Sequence, residues 1–207
     1  MGYSNFSGGV SFAKRIFDTT ASILALITLS PFLLLIAILL VIYQGWPILY
    51  IQRRPGYKGI PFDLLKFRTM RPAHAGEEGT AHDGHRLTGI GRFLRSYSLD
   101  ELPELWNILR GEMSLVGPRP LLMQYLPLYT KEQNRRHDVL PGLTGWAQIH
   151  GRNALSWEDK FIMDVWYVDH YSFWLDLKII MLTIWKVLKR EGISQEGEAT
   201  MQEWKGD

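Results

Sequence analysis

Between Thr19 and Gln52 the chain carries no charged side chain. Within that run, Ala21 to Tyr43 is 23 residues interrupted only by Ser22, Thr28, Ser30 and Pro31. Coiled as one helix it would extend about 35 Å, enough to cross a hydrocarbon core of about 30 Å. A cleavable signal peptide fits poorly, because its apolar region is usually roughly 7–15 residues and no small-x-small cleavage site follows here. The segment predicts a membrane protein. A chain of 207 residues then has room for one anchor and one moderate domain.

Ser30-Pro31 lies near the middle of the run. Proline supplies no helical N–H and its ring crowds the carbonyl four residues back, so a kink is predicted there. The Ser30 hydroxyl can serve the backbone group that the proline frees. Lys14 and Arg15 precede the segment, and Arg53, Arg54 and Lys58 follow it. Basic flanks favour the cytoplasmic side, so two basic flanks are best satisfied on one side of the membrane. The reading adopted is a re-entrant helix-break-helix over residues 1–43, with a plain transmembrane helix as the alternative. Lys14 and Arg15 would stand at the membrane surface, where basic side chains anchor an interface.

The charge total conceals an asymmetry. Lys and Arg number 23 against 21 Asp and Glu, a net +2, yet residues 1–70 are +5 and the remainder −3. The near-neutral total argues against a nucleic-acid binder, and the aromatics of the first third belong mostly to the membrane segment and a hairpin. Cysteine is absent, which excludes disulfides, thiolate catalysis and cysteine-held metals. A hydrophobic fraction of 46% excludes a disordered chain.

Residues 44–207 read as a cytoplasmic domain continuous with the anchor. The fold class expected is α+β, mainly helical: a small β-hairpin, then packed helices, some amphipathic and interfacial. Ile48–Gln52 and Ile60–Phe67 predict the hairpin strands, with Arg54-Pro55-Gly56-Tyr57 as a type II turn. Alternation along the second strand would place Lys66 and Arg68 on one face. The polar, glycine-rich stretch from Arg71 to Arg86 holds His74, His82 and His85 without helical spacing, and reads as a surface loop rather than a metal site.

Ser98-Leu99-Asp100-Glu101 has the form of a capping box, with Ser98 as N-cap of a helix. A plain cap would explain it alone. The surroundings add chemistry: Arg92 and Arg95 precede it, and Val116-Gly117-Pro118-Arg119-Pro120 holds an arginine on a backbone stiffened by two prolines. Helix N-termini and arginines attract phosphate, whereas carboxylates repel it. The conflict resolves if a divalent cation offsets the carboxylates or if one carboxylate attacks phosphorus itself. Oxygen ligands of this kind favour Mg²⁺, or Mn²⁺, over zinc. The alternatives are a membrane-anchored scaffold without chemistry and a nucleic-acid binder.

Seven ordered blocks carry a resemblance. They are Lys14-Arg15-Ile16-Phe17-Asp18, Ser30-Pro31, Arg54-Pro55-Gly56, Lys66-Phe67-Arg68-Thr69-Met70, the run from Arg95 to Pro103, Val116-Gly117-Pro118-Arg119-Pro120, and Pro141-Gly142-Leu143-Thr144-Gly145-Trp146-Ala147-Gln148. Over about residues 12–200 the chain resembles the bacterial monotopic phosphoglycosyl transferases, the bacterial sugar transferase family, in its small PglC-like form. The resemblance implies transfer of a sugar 1-phosphate from a UDP-sugar to polyprenyl (undecaprenyl) phosphate, with release of UMP, at the inner (cytoplasmic) membrane of a bacterium. It implies Mg²⁺ and an Asp-Glu dyad: Asp100 as the nucleophile that forms a phosphosugar-enzyme intermediate, and Glu101 as its partner, both candidates for the metal. Arg95 and Arg119 would hold phosphate oxygens, with Lys66, Arg68, Lys14, Arg15 and Arg152 as further candidates. The donor sugar implied is an N-acetylated amino sugar such as N,N'-diacetylbacillosamine. Oligomeric state is left open.

Two further segments carry readings from the residues. Gly142, Gly145, Gly151, Arg152 and Asn153 form either a loop that approaches a nucleotide or sugar, or a set of structural turns. Phe173 to Arg190 predicts a basic amphipathic helix whose apolar stripe is buried in the domain or laid in the interface. Asp176 on it reads as a surface carboxylate, or as one that faces the active site, and the tail after Gly192 as polar and loosely held, or as a cover for a sugar pocket.

Overall fold

The computed structural model describes residues 11–73, 83–151, 155–189 and 204–206. Its first element, α1 (Phe12–Gln44), starts where the Ser11 hydroxyl accepts from the Lys14 N–H and stops at Gly45, whose φ of 67° favours glycine. The helix is continuous through Pro31, so the expected helix-break-helix is here one helix. Pro31 cannot donate to the Ile27 carbonyl four residues back, and the Ser30 hydroxyl donates to that same carbonyl at 2.8 Å.

An antiparallel hairpin follows, β1 (Leu49–Pro55) with β2 (Pro61–Phe67), paired from Leu49 opposite Phe67 to Pro55 opposite Pro61. The strands lie close to expectation, but the turn does not. Gly56 has φ −98°, and the chain reverses through a 3₁₀ turn at Tyr57–Gly59 with positive φ at Lys58 and Gly59. A type II turn at 54–57 would set Arg54 opposite Tyr57; here Arg54 stands opposite Phe62, the ladder continues to Pro55, and the longer loop is closed by Gly56 N–H donating to Ile60 O.

The next elements are α2 (Asp83–Arg86), α3 (Gly89–Ser96), α4 (Glu104–Arg110), β3 (Ser114–Val116), α5 (Lys131–Asn134), β4 (Gly142–Thr144), α6 (Trp146–His150), α7 (Trp157–His170) and α8 (Phe173–Lys189). β3 and β4 form a two-stranded parallel pair. Gly142 makes that pairing feasible, since a Cβ there would stand 2.1 Å from the Gly117 nitrogen. The fold is thus mainly helical α+β, as expected.

α1 is packed against the domain at both ends. Near its start, Lys14 and Arg15 are buried: Lys14 Nζ meets Asp176 on α8 at 2.5 Å, and Arg15 caps α4 by donating to Ile108 O and Leu109 O. Asp18 is fully buried and accepts from the Ser114 hydroxyl at 2.7 Å. Near its end, Ile36 and Leu40 join Phe67 and Leu94 in a core cluster. Between these contacts much of the surface is apolar and exposed, Leu24, Ile27, Leu34 and Ile38 among it. The helix is long and apolar enough to cross a membrane, and only 11% of its most apolar window is buried. The protein associates with a membrane through this helix.

α8 divides its apolar residues. Ile179 is buried with Tyr167 and Val116, while Phe173, Trp174, Met181, Ile184, Trp185 and Leu188 are exposed. The expected stripe is therefore mostly outward, beside Lys178, Lys186 and Lys189. Asp176 corrects the sequence reading. It is buried, between Lys14 and the Tyr167 hydroxyl, because the amphipathic pattern of one helix says nothing of a cation brought from α1.

Candidate active site

After α3 the chain turns on Ser98, whose φ of 55° and ψ of 24° place it in the left-handed region. The capping box is not formed: Ser98 makes no side-chain cap, and Leu99–Glu101 is a 3₁₀ turn. Pro103 is the reason. With no N–H and a fixed φ it serves as the entry to a helix, so α4 begins at Glu104 and the preceding turn closes through short-range bonds such as Glu101 N–H to Ser98 O. Asp100 and Glu101 consequently stand side by side just ahead of α4.

Their surroundings differ. Glu101 is gripped by a fork: Arg119 Nη2 donates to Oε1, Arg119 Nη1 to Oε2 at 3.3 Å, and Lys66 Nζ to Oε1 at 2.8 Å. Burial would raise its carboxyl, but the Arg119 guanidinium and the Lys66 ammonium outweigh burial and hold it far below the ordinary carboxylate range. Asp100 is 8% exposed and accepts no hydrogen bond among the described residues. Burial first, then the charge of Glu101, pushes its carboxyl up, with Lys66, Arg95 and Arg119 opposing. One carboxylate is fixed and ionised, and the other is open.

Glu104, on the first turn of α4, is a group that sequence reasoning missed. It is 1% exposed, and Lys66 Nζ lies 3.1 Å from its Oε1 as an ion pair without good hydrogen-bond geometry. Its position three residues after Glu101, on the apolar face of α4, was the available signal.

Arg119 stands on a pinned backbone. Pro118 O accepts from Gly142 N–H at 3.0 Å, Arg119 O from Arg136 Nη2 at 2.7 Å, and Pro120 O from Arg54 Nη1 at 3.5 Å. The prolines alone did not reveal this; Arg54 and Arg136 come from distant segments. With the carbonyls held, the Arg119 side chain remains 39% exposed and free to reach a ligand as well as Glu101.

The remaining candidates divide. Arg95 Nε donates to Thr69 Oγ1 at 3.0 Å, and its charge acts on Asp100. Arg68 turns away: β2 ends at Phe67, and the Arg68 guanidinium donates to the carbonyls of Gln44, Gly45 and Trp46 at the end of α1. Lys66 and Arg68 therefore do not share a face, because strand alternation stops between them. Lys14 and Arg15 have protein partners at the other end of α1 and do not join the carboxylate pair. Arg152 lies outside the described residues, as do Asn153, His74 and His82. Gly142 and Gly145 have structural roles, both packed on the Gly117 backbone.

A membrane helix, a mainly helical α+β domain and a buried acidic pair gripped by cations define a membrane-associated protein equipped to handle phosphate. The pattern of the bacterial sugar transferases matches residues 9–190, and the chain belongs to the bacterial sugar transferase family. It is 53% identical to a Bacillus subtilis protein described as the uncharacterized sugar transferase EpsL, over 93% of this chain and 96% of the relative. It is 43% identical to an undecaprenyl-phosphate glucose phosphotransferase of Komagataeibacter xylinus, covering 88% of this chain and 36% of the relative. It is 37% identical to an undecaprenyl-phosphate galactose phosphotransferase of Salmonella typhimurium, covering 87% of this chain and 41% of the relative. The chain thus spans nearly all of the first and well under half of the other two.

Proposed function

We propose that the protein transfers a sugar 1-phosphate from a UDP-sugar to undecaprenyl phosphate, releasing UMP and forming undecaprenyl diphospho-sugar. The observation that carries this reading is the contrast between Glu101, tied to Arg119 and Lys66, and Asp100, buried beside it with its carboxylate open. In the first step an Asp100 oxygen attacks the β-phosphorus, and the bond from that phosphorus to the oxygen of UMP breaks. In the second, an oxygen of undecaprenyl phosphate attacks the same phosphorus, the bond to Asp100 breaks and the carboxylate is restored. A soluble donor and a lipid-borne acceptor are thereby met in turn at one site.

Glu101 is not free to serve as nucleophile, because each of its oxygens carries a cation. It holds Arg119 and Lys66 in place, and the exposed part of the Arg119 guanidinium, with Arg95, orients phosphate oxygens. The donor set also fits Mg²⁺ or Mn²⁺. The oxygens are hard, and the Asp100 carboxylate accepts no hydrogen bond among the described residues. Asp100 would hold such an ion jointly with substrate phosphates, and Glu101 would join it only on releasing a contact to Lys66 or Arg119. When bound, the ion would share the charge of the departing phosphate.

The packing of α1 supports the re-entrant reading. A straight helix of 33 residues is about 50 Å long, yet Lys14 and Asp18 at one end and Ile36 and Leu40 at the other pack on the same domain. A helix crossing the bilayer would hold those ends on opposite faces. With basic flanks, the shared face is the cytoplasmic one, so the domain sits on the cytoplasmic side of a bacterial inner membrane.

The test is mass measurement of purified protein after incubation with Mg²⁺ and, in turn, UDP-glucose, UDP-galactose, UDP-N-acetylglucosamine and UDP-N,N'-diacetylbacillosamine. The expected result is a phosphosugar adduct on Asp100 with UMP released before any lipid acceptor is added. Asp100→Asn abolishes both while the protein stays folded. UMP release that strictly requires the lipid overturns the covalent step, and the donor that forms the adduct identifies the sugar. The names of the relatives point to glucose and galactose, whereas the resemblance to small forms points to an acetamido sugar.

A further inference from the structure

Trp204 is 6% exposed, far from the polar, loose tail that the sequence suggested. Its ring stacks on Tyr129 at 5.2 Å and meets the edges of Phe161 at 4.8 Å and Tyr125 at 5.6 Å. The backbone N–H of Trp204 donates to the Tyr125 hydroxyl, and Gly206, at φ 89°, lies against Leu128. Residues 204–206, the described part of the tail, are keyed into an aromatic box by one large side chain.

Two walls of that box have a second occupant. The Arg136 guanidinium lies 5.7 Å from the Tyr129 ring and 5.8 Å from the Phe161 ring, and Arg136 is 2% exposed. Arg136 donates to the Tyr129 hydroxyl, to Asp164 Oδ2 at 2.7 Å, and to Arg119 O at 2.7 Å. A contiguous chain of contacts therefore leads from Trp204 through Tyr129 and Phe161 to Arg136, then to the backbone of Arg119, whose side chain grips Glu101.

We propose that Trp204 is a positioning residue for the transfer site, acting through Arg136 to hold Arg119 where its fork meets Glu101. The proposal rests on the reading that the Arg119–Glu101 pair belongs to that site. Without the indole, Tyr129 and Phe161 lose the ring packed on them. Arg136 then loses its rigid walls, and the carbonyl it holds can drift. Misplacement of a positioning group by about 1 Å can cost on the order of a hundredfold in rate.

The first measurement needs no turnover. Phenylglyoxal modification of Arg119, followed by peptide mass, is expected to run about fivefold faster in Trp204→Ala than in the parent, and near the parental rate in Trp204→Phe. An unchanged rate in Trp204→Ala overturns the proposal, and it does so whether or not the parent transfers sugar phosphate. The second is a double-mutant cycle on UMP release. Trp204→Ala is expected to lower kcat/KM about tenfold alone but less than about twofold in an Arg119→Ala background. A loss of equal size in both backgrounds is what a merely structural role gives, and overturns the proposal. Should Trp204→Ala fail to fold, Tyr129→Phe removes only the hydroxyl that binds Arg136. It should speed Arg119 modification about twofold, and no change there is equally decisive.

Discussion

Lys14→Met tests the position of α1. In the parent, Lys14 Nζ sits 2.5 Å from Asp176 Oδ2 and 3.9 Å from Asp18 Oδ2, and all three side chains are buried. Methionine keeps the apolar stem but leaves Asp176 and Asp18 facing each other without their cation. Removing one partner of a buried ion pair costs about 3–5 kcal/mol, because the remaining charge stays desolvated. For a chain of this size, about 1 kcal/mol corresponds to roughly 2–4 °C in Tm, so the loss is roughly 6–20 °C. Thermal unfolding in detergent micelles and in nanodiscs, followed by near-ultraviolet circular dichroism, reads it. Adding Asp176→Asn to Lys14→Met should recover part of the loss, since the orphaned charge is then gone. A Tm within about 2 °C of the parent would refute the reasoning. It would mean that the start of α1 does not rest on α8, as in a helix whose ends lie on opposite faces of the bilayer.

Two further outcomes can be measured with the same protein. His137 is 5% exposed, and burial, then the Arg136 charge, lowers its pKa from 6.5 to about 4. Between those values the unfolded chain binds a proton that the folded one refuses. Stability therefore falls as pH drops from 6.5 to about 4, by roughly 3 kcal/mol in all. Denaturation midpoints at pH 5 to 7 should slope less in His137→Gln, and equal slopes would contradict the assignment. Gly142→Ala drives a Cβ to 2.1 Å from the Gly117 nitrogen and 2.3 Å from Thr144 O, so β3 and β4 must part. A loss of about 3 kcal/mol or more is expected, together with lower UMP release, because the Pro118-Arg119-Pro120 segment follows Gly117 directly.

Local physics was readable in the linear chain. The proline in α1 and the serine beside it act through neighbours three and four residues away, and the structure holds the Ser30–Ile27 bond that this reasoning expects. The hairpin followed from its apolar strands. Asp100, Glu101 and Arg119 stood out through a conflict between carboxylates and phosphate-attracting groups, and Lys66 through the family resemblance; the fold brings these side chains together. What failed depended on long-range partners or on competition between neighbours. Ser98 looked like a cap, but Pro103 displaced the helix start. Arg68 looked like a companion to Lys66 until the end of α1 supplied three carbonyls for it. Asp176 looked solvated because its cation stands 162 residues away. Arg54 and Arg136, which pin the segment carrying Arg119, had no local mark, since what defines them is a backbone carbonyl elsewhere in the fold.

The contacts of α1 also set a timetable for synthesis. Its opening turns leave the ribosome first, yet Arg15 must wait for the carbonyl of Ile108, 93 residues on, Asp18 for Ser114, and Lys14 for Asp176, 162 residues on. Until α4 and β3 have been made, Arg15 and Asp18 lack these partners, and Lys14 lacks Asp176 until α8 has been made. Closing loops of that length is slow, so the nascent anchor rests at the bilayer while almost the entire remainder of the chain is translated. The last long helix to emerge is the one that locks the first in place.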